Sequence, residues 1–146
     1  MKKFILGLLA LISMAFIVTS CEMKYDEDYP ELVQYYCCYG NSSGTWYDHA
    51  VPNNTLMTYD ASTGKYSIEI EAKVKNWRFE ITKGAGYSIE YMADAKGVQS
   101  ADAETLANFP KTADNGLGSL QTVLPEATTY VITFDPATEK YNVAIK

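Results

Sequence analysis

Hydrophobic and polar positions follow two different rhythms along this chain. After Lys2 and Lys3 the residues from Phe4 to Val18 are almost all apolar, and the run stops at Thr19-Ser20-Cys21. About 15 apolar residues behind a short basic start, with small residues before a cut site, read as a secretory signal peptide. A membrane-spanning helix needs about 20. From residue 32 onward a period of two takes over. Tyr66, Ile68, Ile70 and Ala72 alternate with Ser67, Glu69, Glu71 and Lys73, which predicts a strand with one buried and one wet face. Trp77, Phe79 and Ile81 alternate in the same way with Arg78, Glu80 and Thr82, and residues 86–92 repeat the pattern around Tyr87, Ile89 and Tyr91. Residues 32–39 and 55–59 are shorter β-rich runs, closed by turn clusters at 40–44 and 60–64. Tyr130, Ile132 and Phe134 face Tyr141, Val143 and Ile145 across an expected hairpin whose turn spans 135–140. Between 93 and 127 the rhythm breaks. That stretch has room for a helical turn near 101–108 and a flexible segment at 115–119, and it is long for a loop in a compact domain. About seven short strands predict an all-β fold for residues 32–146, an Ig-like antiparallel β-sandwich.

Composition narrows the function classes. The chain carries 12 basic and 18 acidic residues; without Lys2 and Lys3 the balance is 10 against 18, a net charge of −8. An acidic surface excludes nucleic acid as an expected partner, since phosphate backbones need basic patches. Twelve tyrosines, two tryptophans and five phenylalanines fit β structure and also supply rings with polar tips. With one histidine, His49, no multi-histidine metal site is available, and no cofactor motif, Walker loop, serine elbow or Cys-x-x-Cys pair is present. His49 reads as an exposed loop residue. Cys37 and Cys38 are neighbours on a predicted strand and point to opposite faces, so one buried thiol and one on the outer face are expected. No pair of carboxylates has a sequence reason to share a cleft, and catalysis is not expected.

The N-terminal segment ending at Cys21 resembles the bacterial lipobox, which implies that Cys21 is lipidated and becomes the first residue of the mature chain. Each buried acyl methylene contributes about 0.8 kcal/mol, so two or three acyl chains hold a protein firmly on a membrane. The alternative is an ordinary cleaved signal with Cys21 near a free N-terminus. Residues 1–20 are then the lipoprotein signal peptide and 21–31 a tether, acidic and closed by Pro30. Repelling like charges and scarce apolar surface predict that the tether is extended. It resembles the acidic export signal of Bacteroidetes surface lipoproteins, which implies an outer-membrane protein facing the cell exterior; the plain alternative is a spacer.

A larger likeness rests on the order of the pieces. A first strand and Gly-rich loop lead to Trp46, followed by Gly64-Lys65-Tyr66-Ser67-Ile68, the aromatic-basic-aromatic strand Trp77-Arg78-Phe79, and a closing hairpin that opens Tyr130-Val131-Ile132-Thr133-Phe134-Asp135. This order resembles one domain of the SusE/SusF starch-binding outer-membrane lipoproteins of the Bacteroidetes. Thr45 between Gly44 and Trp46 departs from the family's adjacent glycine and tryptophan, and the family's usual tandem of domains is replaced here by room for one. The resemblance implies non-catalytic binding of polysaccharide or oligosaccharide, starch being the suggested glycan, beside an outer-membrane glycan transporter complex. Trp46 on its loop is the expected ring platform, Tyr47 its neighbour, and Arg78 a planar donor able to bridge two hydroxyls. Trp77 and Phe79 read as core. The competing reading is an accessory subunit of an outer-membrane transport complex with the same fold and no sugar site.

Overall fold

The computed structural model describes residues 32–146 apart from 42–43, 74–75, 96–98, 117 and 127. The expected leader 1–20 and tether 21–31, with Cys21, lie outside the described residues. Within them the fold is an all-β, Ig-like antiparallel sandwich of two sheets. The elements run β1 (Tyr35–Gly40), β2 (Trp46–Tyr47), α1 (Pro52–Thr55), β3 (Thr58–Asp60), β4 (Lys65–Ala72), β5 (Trp77–Lys83), β6 (Glu90–Tyr91), β7 (Asp94–Ala95), α2 (Ala103–Asn108), β8 (Thr112–Asp114), β9 (Ser119–Leu124), β10 (Thr128–Asp135) and β11 (Lys140–Ile145). One sheet is ordered β2-β1-β5-β9-β7, with β6 also on β5 and β8 also on β9; the other is ordered β11-β10-β4-β3.

The period-two pattern is what closes the sandwich. Tyr35 and Cys37 on β1, Phe79 and Ile81 on β5, Tyr66 and Ile70 on β4, Tyr130, Ile132 and Phe134 on β10, and Tyr141 and Val143 on β11 share one core. Each Ile, Val or Phe among them contributes about 1.5–3 kcal/mol on burial. The closing hairpin has the expected register, with Ile132 opposite Val143 and Phe134 opposite Tyr141. Ile145 keeps its expected face, opposite Tyr130, but is exposed at the strand's end.

Three expectations change. Residues 84–89 form bends, and the strand expected over 86–92 shrinks to Glu90–Tyr91. Within the segment expected to be flexible, 115–119, β9 already begins at Ser119, and Asp114 Oδ1 accepts from the N–H groups of Gly116 and Gly118. That strand, β9, was not foreseen, because Gln121 and Thr122 are polar yet buried and spoil the hydropathy alternation. The helical turn expected near 101–108 forms as Ala103–Asn108, where Asp102 accepts from the Thr105 N–H at 2.7 Å as an N-cap.

Candidate functional site

Gly40 starts the local geometry that presents the candidate rings. It sits at φ +157°, and a Cβ there would meet the Thr45 carbonyl oxygen at 2.0 Å and Trp46 Cα at 2.8 Å. The missing side chain lets the returning chain close on β1, pairing Gly40 with Trp46 and Tyr39 with Tyr47. Successive residues of a strand point to opposite faces, so the two rings of β2 enter different clefts.

Trp46 turns to the outer side of the larger sheet. There it lines a cleft of about 280 Å³ with Arg78, Glu80, Tyr87, Glu90, Asn115 and Gln121. Its Nε1 donates to the Tyr87 hydroxyl at 3.3 Å. Trp46 is half-buried, Tyr87 is exposed, and His49 packs edge-on against Tyr87 with ring centroids 5.2 Å apart. Half-buried His49 therefore departs from the expected exposed loop histidine. Arg78 lies on this outer face as expected. Its Nη1 donates to the Asp114 carbonyl at 2.5 Å, while its Nε is buried without a partner. The cleft floor is polar and dry: Glu80 is 3% exposed and Gln121 2%. Gln121 Nε2 donates to Glu80 Oε2 at 2.6 Å, and Gln121 Oε1 has no hydrogen-bond partner. Burial pushes the Glu80 carboxyl up to about 7; the Gln121 amide and Arg78 oppose the shift and Glu90 adds to it.

The expected wet row of β5 is thus partly buried. Glu80 and Thr82 are closed over, and so is Cys38, which does take the outer face but is fully buried, with Thr82, Tyr87 and the His49 backbone as hydrogen-bond neighbours. Both cysteines are free, and burial raises both thiols, Cys38 to about 11. They are poor nucleophiles. Two carboxylates, Glu80 and Glu90, line this one cleft, a pairing for which the sequence offers no local reason.

Tyr47 turns the other way, into a groove of about 690 Å³ between the edges of the two sheets. Tyr39, Tyr47 and Trp77 form its aromatic side, with centroid separations of 5.2, 5.5 and 6.5 Å and interplanar angles of 40–51°. The three rings are tilted rather than coplanar. Trp77 is core as expected, at 4% exposure, yet it also lines this groove and its Nε1 is buried without a partner. Asn53, Asn54, Thr58, Ser67, Glu69, Glu71 and Lys73 make the rim polar.

Of the three residues singled out by sequence, the fold joins Trp46 with Arg78 and separates both from Tyr47. Tyr87, Gln121 and Tyr39 were missed. Tyr87 lies in a segment that alternates like a strand and folds as bends. The partnership of Gln121 with Glu80 spans 41 residues and leaves no local signal. Among the described residues no cluster of three or more metal-ligating side chains occurs. The chain matches no protein-family model and no curated protein sequence.

Proposed function

We propose that this chain is a lipid-anchored outer-membrane protein, displayed toward the cell exterior, that binds polysaccharide without cutting it as part of a glycan-uptake system. The observation that carries the reading is the meeting of Trp46 and Arg78, distant in sequence, in one cleft with Tyr87, Glu80 and Gln121. Sugar rings offer C–H faces to an aromatic ring and hydroxyls to planar amide, carboxylate and guanidinium groups. A cleft of this size suits one sugar unit of a longer chain, starch-like glucan being the first candidate. The non-catalytic part of the reading follows the sequence expectation, and the hold of Gln121 on the Glu80 carboxyl, beside Glu90, agrees with a binding cleft.

Affinity electrophoresis of the detergent-solubilised full-length protein, through native gels loaded with starch and other polysaccharides, tests this. We expect one polymer to retard it and Trp46→Ala to weaken retardation about tenfold, the scale of one aromatic contact. No new reducing ends should form during incubation with that polymer. An unretarded but folded protein would favour the accessory-subunit reading instead. That reading has its own support in a pocket of about 360 Å³ where Phe109, Pro110, Val123, Leu124 and Pro125 meet Asn76, Asn108, Lys111 and Glu126.

A further inference from the structure

The chain segment before β3 leaves part of β4 uncovered. Thr58–Asp60 pairs only with Lys65–Ser67 of β4. Immediately upstream the backbone crosses to the other sheet, where Met57 N–H donates to the Tyr35 carbonyl at 2.9 Å and Leu56 bridges Tyr36. Beyond Ser67, β4 has β10 on one side and, among the described residues, no strand on the other. Residues 67–71 all line the groove described above. Their side chains alternate between two faces, so what the five share toward the groove is the strand's backbone edge. Across from that edge stand Tyr39, Tyr47 and Trp77, and Asn53 and Asn54 of α1 join the lining.

We propose that this groove is a second glycan site, separate from the Trp46 cleft, so that one domain holds polysaccharide at two points on opposite faces of its larger sheet. The inference rests on the glycan-binding reading and assigns a site that Trp46 and Arg78 do not touch. Two observations carry it. Tyr47 and Tyr39 offer half-buried ring faces for sugar C–H groups. The remaining lining sets hydroxyl, amide, carboxylate and ammonium groups beside Leu56, Ile68 and Ile70 along the strand edge, and its polar majority offers partners for the hydroxyls of several linked sugars. A peptide could also add to a free edge, but strand addition draws its specificity from pockets for alternate side chains. Outside the aromatic corner this lining is mostly polar, and glycan is the better match.

The two sites are separated by variants on either side of β2. Affinity electrophoresis of the full-length protein with the retarding polysaccharide would compare wild type, Trp46→Ala, Tyr47→Ala and the double variant, with Asn53→Ala/Asn54→Ala as a surface probe of the groove. Bivalent attachment predicts a loss of roughly 10-fold or more for each ring alone and complete loss for the pair. The asparagine variant should weaken retention in the Trp46→Ala background, with its melting temperature unchanged. If Trp46→Ala alone abolishes retention, or if the groove variants have no effect, the second site is overturned while glycan binding stands. If no polymer retards wild type, the glycan reading itself fails and takes this inference with it. Selection of extended peptides by wild type but not by Tyr47→Ala, without Tyr47-dependent glycan retention, would assign the groove to strand addition.

Discussion

Glu80 is where burial and charge meet most directly. Desolvation holds its carboxyl near 7 against an ordinary value of 4.5, despite the Gln121 hydrogen bond and Arg78, and with Glu90 adding repulsion. Cys38 on β1 and Tyr87 in the covering segment also face it, and both are raised by burial. The folded chain therefore keeps a proton that the unfolded chain gives up between about pH 4.5 and 7. Stability from this group is fullest below that window, falls as pH rises through it, and levels off above, by at most about 3 kcal/mol. Thermal melts should show this decline in wild type and a much flatter profile in Glu80→Gln. Glu90, also raised by burial, leaves a smaller slope of the same sign. Asp102 acts elsewhere: burial opposes its ionisation, but hydrogen bonds from Thr105 and Asn142 outweigh it and lower its pKa. Its contribution is lost only as pH falls through the acid range. A slope unaltered in Glu80→Gln would place the titration on another group. None of this was legible locally, since Arg78-Phe79-Glu80 alternates like any half-wet strand and the cover over Glu80 arrives from elsewhere in the chain.

At the level of elements, the two-residue strand β2 decides the site. It exists because Gly40 leaves space for Thr45 and Trp46, and Asn41 N–H donates to the Thr45 carbonyl at 2.9 Å to close the loop. Gly40→Ala should push β2 off β1, cost about 1–3 kcal/mol in a thermal melt as an overpacked contact, and weaken glycan retention at least as strongly as loss of Trp46, since β2 carries both rings. Gly44→Ala in the same loop meets no atom within 4 Å and should leave both unchanged. Equal behaviour of the two variants would mean that the β1–β2 closure does not position the ring. The long strands were legible because each has a clean apolar row: β4, β5, β10 and β11 fall close to where the alternation puts them. β9 was not, because a sheet whose outer face is also covered can bury Gln121 and Thr122, and hydropathy then carries no period.

For the whole molecule, the sandwich supplies the Trp46 cleft and the Tyr47 groove, and the N-terminal segment supplies the expected address. If Cys21 carries the lipid, Cys21→Ser should move the protein out of the membrane fraction, and protease treatment of intact cells should degrade the wild type. Wild type recovered equally in the soluble fraction would leave an ordinary cleaved signal as the reading. The sequence by itself determined the faces of the long strands: these depend on neighbours two residues apart, so the core of Phe79, Ile81, Ile132, Phe134 and Val143 is written locally. It also marked Trp46, Tyr47 and Arg78 as rings and donors outside the obvious core. Only the tertiary structure decided how those three are grouped. Trp46 joined Arg78 because β1 and β5 pair through Gly40 and Arg78, while Tyr47 left them because adjacent strand residues face opposite ways. The β4 edge that no strand covers among the described residues likewise depends on the chain crossing between sheets at Leu56 and Met57, a long-range event with no periodic trace in the residues themselves.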